Sequence, residues 1–301
     1  MLEIYIKLLP VFGFFFLGVA LRHLKYATYK HGAMLLKMVF FATLPVLILV
    51  RVAEAELTLD KLYLPFINMA INLGCMAVML VVTRKMRIAR TTLGVMLVSS
   101  ALINDSLLYP FVSAVLDKEA FLDLVIFDIG NAVMAVTVAY AVAFHYGEEG
   151  LEFKTIFINI LKLPALWALV IALVLNVSST LIPAAPLVIL EPFGMLTNPF
   201  ILLSLGIYFN PRIKNLRLLS ITIIIRMFVG LLIGCVIVTV LDLSGSSYII
   251  VLLCSAAPMG FNTLTYASLA KLDIEFASSV VSISILIALF TIPFMMYFLQ
   301  A

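Results

Sequence analysis

Long apolar runs alternate with short charged connectors from one end of the chain to the other. A bilayer-spanning helix needs about 20 mostly apolar residues, and that rule predicts ten. They cover Tyr5–Leu21, Gly32–Val50, Leu62–Thr83, Thr91–Leu116 and Ala120–Phe144, then Thr155–Leu175, Leu187–Phe209, Leu216–Leu241, Ser246–Ala270 and Phe276–Leu299. No connector has the length of a soluble domain. The first run is expected to stay attached. Glu3 and Lys7 make no basic leader region, and Leu21-Arg22-His23 stands where a cleavage site would need small residues.

The connectors carry an orientation signal. The odd-numbered ones hold Arg22, Lys25, Lys30, Arg84, Lys85, Arg87, Arg90, Lys154, Arg212, Lys214, Arg217 and Lys271, whereas the even-numbered ones hold Arg51, Lys61 and Lys118. Positively charged loops stay in the cytoplasm, so both termini are expected on the extracytoplasmic side. The halves also match at a fixed offset. Pro10 falls on Pro164, Thr43-Leu44-Pro45 on Thr197-Asn198-Pro199, and Asn104 on Pro258. Five spans per half force the halves into opposite orientation, the inverted-repeat design of many secondary transporters. Residues 1–150 and 151–301 would be the two repeats, with Glu148-Glu149-Gly150 at the seam. The expected fold is an all-α integral membrane protein of ten helices in two inverted five-helix repeats.

Composition agrees with lipid as the solvent. Of 301 residues, 64% are apolar and 12% charged, against about half and a quarter in soluble domains. A net charge of +3 is too small to imply nucleic acid. Cys75, Cys235 and Cys254 lie inside apolar runs with no ligand spacing, and read as core fillers.

The fourth and ninth spans are the irregular ones. Asn104-Asp105-Ser106 places three polar residues in mid-span, and Pro110 follows. In the ninth, Pro258 and Gly260 disfavour helix, while Asn262 and Thr263 can cap a fresh one. Backbone unwound at membrane depth survives only where protein or a water-filled cavity satisfies it. The matched positions of the breaks predict that they meet near the midplane. Two half-helix N-termini would converge there and favour an anion. The alternative is a pair of ordinary proline kinks.

Several residues around these breaks resemble the auxin efflux carrier family, whose fold is related to that of the bile acid:sodium symporters. They are Ala256-Ala257-Pro258 through Asn262, Ala267, Ala270, Asp273, Ala277-Ser278, Thr291-Ile292-Pro293, Phe127-Asp128 with Asn131, and Leu203 to Gly206. The resemblance covers essentially the whole chain. It implies ten helices, a scaffold and a crossover-bearing transport domain, an elevator-type motion, a homodimer, and organic-anion substrates such as auxins or small dicarboxylates. The first crossover departs from the family pattern: it lacks the usual glycines and carries Asp105 where a small neutral residue is expected. The short connector between the halves points to a microbial relative.

The candidate substrate-binding residues are therefore Asn104, Asp105, Ser106, Pro258, Asn262 and Thr263. Asp105, Asp128 and Asn131 are candidates for a coupling ion, H⁺ or Na⁺, because intramembrane ionisable groups are functional candidates by default. Each has a plainer reading: Asp105 as a helix cap, Asp128 as a partner for the broken backbone. Arg226, deep in the eighth span, is expected to snorkel to the cytoplasmic interface. Lys37 and Glu191 are expected at interfaces, and His23, His31 and His145 in solvated loops. No catalytic motif, metal motif or cofactor fingerprint is present. A secondary carrier for a small organic anion, working as a uniporter or coupled to H⁺ or Na⁺, is the leading expectation, a sodium-coupled symporter of bile-acid type the alternative, and a channel or receptor the outlier.

Overall fold

The structure, a computed structural model, describes residues 2–53, 59–147, 164–178, 182–209, 211, 213 and 215–299. The predicted seam at Glu148-Glu149-Gly150, the start of the sixth span at Thr155, and Lys154, Arg212 and Lys214 lie outside the described residues. The regular elements among the described residues are all helices, and the one strand-like pairing among them is an isolated bridge between Ile103 and Met259. Among the described residues, six helical stretches are long and apolar enough to cross a bilayer: Tyr29–Val50, Lys61–Thr83, Lys118–Tyr146, Ala185–Tyr208, Leu216–Val240 and Ile274–Leu299. Val81, Val188 and Val240 are each about three-quarters exposed, as side chains that meet lipid rather than a core would be.

The contacts divide the chain into two units, and each takes helices from both halves of the sequence. The first comprises Met1–Lys61, Ser106–Val125 and Leu161–Phe209. It contains α1 (Leu2–His23), α2 (Tyr29–Met38) and α3 (Leu44–Ala53), together with α9 (Pro164–Val177), α10 (Ala184–Met195) and α11 (Thr197–Tyr208). Most of α6 (Asp105–Val115) and the start of α7 (Lys118–Met134) also belong to it. Helices α1 and α11 cross with their backbones in contact, because a Cβ on Gly18 would strike the Leu203 carbonyl and one on Gly206 the Phe15 carbonyl. Small residues allow such approach, and it supplies the packing that apolar burial does not supply in lipid. Between α2 and α3 the helix widens to a π turn over Val39–Thr43. Pro45, two residues on, removes one of the amides that a regular helix would need there. Helices α10 and α11 meet at Leu196 between Pro192 and Pro199, a proline-flanked kink at the matching point of the second half.

The second unit comprises Leu62–Asp105, Ile126–Ile160 and Asn210–Ala301. It holds α4 (Leu64–Thr83), α5 (Arg90–Ser100), the end of α7, α8 (Tyr140–Tyr146), α12 (Leu216–Ile223), α13 (Gly230–Val240), α14 (Gly245–Ser255), α15 (Asn262–Leu269) and α16 (Ile274–Leu299). Two more π turns occur here, Ala135–Ala139 and Ile224–Val229. The first has a partner outside its own helix: the Tyr266 hydroxyl donates to the Ala135 carbonyl at 2.8 Å. Asp273 anchors the start of α16, accepting from the Phe276 amide at 3.1 Å and from the Thr92 hydroxyl at 2.8 Å. Helix α16 is the most enclosed of the six long stretches, with Ser279, Ser282 and Ser284 all buried on it.

Candidate functional site

Both irregular spans are broken as the polar residues predict, and the breaks pair. Helix α5 ends in Ser99 and Ser100, whose hydroxyls turn back on their own helix, to the Met96 carbonyl at 3.1 Å and the Leu97 carbonyl at 2.8 Å. The chain leaves the helix after Ser100 and re-enters it at Asp105. Pro110 lies inside α6 and is not the break itself. In the ninth span α14 stops at Ser255 and α15 starts at Asn262. The extended segments lie antiparallel: the Asn104 amide donates to the Pro258 carbonyl at 2.9 Å, and the Gly260 amide to the Leu102 carbonyl at 3.1 Å. A Cβ at Gly260 would sit 2.9 Å from the Ile103 carbonyl oxygen, so glycine is what permits the approach.

Buried backbone groups must find partners, and those of the breaks do so in protein. The Asn131 carboxamide holds Ile103 at both ends, accepting from its amide at 3.2 Å and donating to its carbonyl at 3.2 Å. Its amide nitrogen also reaches Asp128 Oδ1 at 3.3 Å. The Met259 amide donates to Ser284 Oγ at 3.3 Å. Asn131 is therefore a partner of the broken backbone on both sides of Ile103, and it reaches Asp128 as well. A carboxamide suits this two-point contact because it offers a donor and an acceptor, as a peptide does, whereas a carboxylate offers only acceptors.

Asp105 is the outstanding polar group. It is 2% exposed, and neither carboxylate oxygen accepts a hydrogen bond from the described residues. A capping aspartate would accept from amides of the first turn, so the side chain does not cap α6. Asp128 and Asn131, bonded to each other at 3.3 Å on α7, meet the same break through the Asn131 contacts with Ile103, two residues before Asp105. Asn104 and Pro258 are buried and joined through their backbones. Thr263 is buried, with its hydroxyl unpartnered among the described residues, while Asn262 is exposed. Neither caps α15, whose N-cap is Phe261 with no side-chain bond. Ser106, half-buried, belongs by its contacts to the first unit.

Arg226 corrects the snorkelling expectation. It is wholly buried in the π turn Ile224–Val229, donating from Nη2 to the Cys254 carbonyl at 3.3 Å and the Ser255 carbonyl at 3.5 Å, and from Nη1 to Cys75 Sγ at 3.2 Å. Its target is the carbonyl-bearing end of α14, where a cation is favoured. Cys235 is exposed and not a core filler. The three histidines are exposed but sit at helix ends rather than in loops.

Sequence reasoning did not single out a second buried ionic group. In the first unit the Lys61 ammonium lies 2.6 Å from Glu119 and 2.7 Å from Asp123, which is fully buried. The spacing of Glu119 and Asp123, one turn apart and facing one way, was the available signal. Asn68 and Asn72 form a similar buried pair in α4, bonded at 2.6 Å. The first unit also has a cavity of about 200 Å³ between Pro10, Pro110 and Pro199, lined by two buried atoms without partners, Ser113 Oγ and Asn198 Oδ1.

Apolar helices of bilayer length define a multi-pass membrane protein, and two of its spans are interrupted by paired non-helical backbone. The model of a family described as membrane transport protein matches residues 3–296, nearly the whole chain, and the chain belongs to that family, the auxin efflux carriers. The family is one of transporters, not of enzymes. A comparison with curated proteins gave no match.

Proposed function

We propose that the protein is an elevator-type secondary carrier for a small organic anion, such as an auxin-like or dicarboxylate compound, coupled to H⁺ or Na⁺. The observation that carries this reading is the paired crossover with the unpartnered Asp105 beside it. An anion drawn to the half-helix ends at Asp105 and Asn262 would be repelled by a bare carboxylate, unless a cation arrives with it. Coupling follows from that conflict. Asn104, Asp105, Ser106, Pro258, Asn262 and Thr263 would contact the substrate, and Asp105 with Asp128 the coupling ion. Asn131 is better placed to hold the backbone than to bind an ion, since both its polar atoms are engaged.

The same reading has the chain cross the cytoplasmic membrane ten times as two inverted repeats, with both termini outside, in a homodimer. The recurrence of lengths supports the repeats. Helices α5 and α14 have 11 residues each, and Tyr29–Ala53 matches Ala184–Tyr208 in length, each interrupted near its middle. A stabilisation screen of organic anions on purified protein identifies the substrate, because a ligand that binds the native state raises its apparent stability. Counterflow of that compound in proteoliposomes then tests the carrier. Saturable dependence on sodium would select the symporter of bile-acid type. Continuous ion current in a bilayer recording would make the protein a channel and overturn the proposal.

A further inference from the structure

The turn that joins α1 to α2 in the first unit carries Arg22, Lys25 and Lys30. No Asp or Glu occurs in the sequence between Glu3 and Glu54, and among the described residues none of the three cations forms an ion pair. The turn stands where two apolar helices end: the stretch Leu9–His23 leads into it, and Tyr29–Val50, long enough to cross a bilayer, leads out. Leu24 and Tyr26, which alternate with the cations along the chain, are 62% and 77% exposed. Cations interleaved with exposed apolar and aromatic side chains, next to a spanning helix, are the pattern of a surface that meets lipid headgroups.

The turn also has a fixed shape. The Arg22 guanidinium lies over the Tyr29 ring, 3.8 Å from its centroid, and Tyr29 is in turn stacked on Tyr208 of α11, with ring centroids 5.6 Å apart and planes at 26°. A guanidinium stacked by its face keeps its N–H groups free around the edge, where they can grip two oxygens of one phosphate. Lys25 has left-handed backbone, φ 63°, at a helix end where glycine is the usual residue. The Lys25 amide donates to the Arg22 carbonyl at 3.1 Å and the Ala27 amide to the Leu21 carbonyl at 3.0 Å, which hold it there. A cation at the carbonyl end of α1 suits the helix dipole and would account for Lys25 alone. It does not account for Lys30, which stands in the first turn of α2 with no acidic residue beside it, where the dipole disfavours a cation. An anion held by all three cations accounts for both.

We propose that the α1–α2 turn is a binding site for the headgroup of an anionic phospholipid, with Arg22, oriented by Tyr29, gripping the phosphate and Lys25 and Lys30 adding charge. An acidic protein segment would match the cations too, but the turn stands at the ends of two apolar helices, where lipid headgroups are the anions at hand. The same charges serve as an orientation signal in the sequence, and that role needs no stacked arginine and no lysine in left-handed backbone. The inference is independent of what the crossover binds or couples.

The test titrates the full chain, in an uncharged maltoside detergent, with dihexanoylphosphatidylglycerol below its micelle concentration. The thermal midpoint reports binding, because a ligand of the native state raises it. Dihexanoylphosphatidylcholine, with the same chains and no net charge, and inorganic phosphate, with the charge and no chains, are the comparators. Phosphatidylglycerol should raise the midpoint saturably and the comparators should not. Each cation removed from the headgroup should weaken binding roughly fivefold, in Arg22→Gln and in Lys30→Gln. Lys25→Gly relieves the left-handed backbone, so without lipid it should be at least as stable as the wild type, yet it should bind phosphatidylglycerol about fivefold less tightly. Tyr29→Leu keeps every charge and removes the platform under Arg22, and should also weaken binding, whereas Tyr29→Phe should not. Arg87→Gln removes an equal charge from the exposed connector between α4 and α5 and should leave the half-saturating concentration unchanged.

An equal response to phosphatidylcholine would mean that acyl chains alone bind, and an equal response to inorganic phosphate that the turn takes a soluble anion; either overturns the proposal. Weakening by Arg87→Gln as large as that by Arg22→Gln would reduce the effect to total charge and overturn it as well. Wild-type binding by both Arg22→Gln and Lys25→Gly would leave the cations as an orientation signal only. Should Tyr29→Leu fail to fold, Lys25→Gly decides: its loss of lipid binding without loss of stability supports the site, and retained binding sinks it.

Discussion

Replacing Asn131 by leucine takes away both partners of Ile103 at once. The side chain is nearly isosteric and the position is buried, so the variant loses hydrogen bonds with little change in volume. A buried amide or carbonyl left without a partner costs about 1–3 kcal/mol, which puts the loss at roughly 2–6 kcal/mol for the two groups. Water could relieve part of this if it entered the break, which favours the lower half of the range. Denaturant unfolding in detergent measures the loss, and amide exchange locates it. Exchange should quicken first at Ile103 and then at Asn104 and Gly260, whose bonds across the bridge depend on the same segment. Asn131→Asp keeps the acceptor for the Ile103 amide but faces the Ile103 carbonyl and Asp128 with a carboxylate, and should be no better than leucine. A loss below 0.5 kcal/mol in Asn131→Leu, on the order of a surface substitution, with unchanged exchange at Ile103, would refute the view that this carboxamide holds the break.

Other outcomes follow from single contacts. Gly260→Val should separate the bridge, because its Cβ would sit 2.9 Å from the Ile103 oxygen; quickened exchange at Asn104 reports it, and normal exchange would argue against the close approach. Lys61→Met leaves Asp123 buried without its cation and should destabilise by about 3–5 kcal/mol, whereas Lys61→Met/Asp123→Leu should recover most of that in the same denaturant titration. Single cysteines at Thr28 and Lys214, in a chain without its native thiols, should resist an impermeant thiol reagent in intact cells, while one at Thr180 should react; Thr180 and Lys214 lie outside the described residues, and the expectation rests on the charge bias of the connectors. Asn262→Ala should weaken substrate binding strongly without lowering stability, and unchanged affinity would remove the crossover from the binding site.

The breaks were legible because they violate the spanning rule locally. Proline and glycine in the ninth span and three adjacent polar residues in the fourth have no cheap place in a lipid-facing helix, and the structure pairs those segments. What joined them was partly legible: Asn131 was singled out, but as an ion ligand, since its distance along the chain from Ile103 hides the two-point contact. Arg226 was misread for a related reason. Three turns separate it from a basic connector, which suggests a side chain reaching for water, and nothing local reveals that Cys75 and the end of α14 enclose it. Asp123 went unnoticed because it stands near the start of a helix, where a charge reads as solvated; Lys61, from a distant segment, is what allows its burial. Helix existence is local information, whereas the partner of a buried charge is set by packing between segments far apart in sequence.

The claim on which the account turns is that the paired breaks and Asp105 form the coupled site of a carrier. The most direct measurement is uptake of the stabilising anion into proteoliposomes under imposed pH or sodium gradients, for the wild type and Asp105→Asn side by side. The wild type should concentrate the compound when one gradient is present and only equilibrate it when both are absent. Asp105→Asn should still exchange the compound in counterflow yet gain nothing from either gradient, because asparagine cannot carry the charge or titrate. Uptake by Asp105→Asn with the wild-type rate and the wild-type response to the gradient would contradict the account.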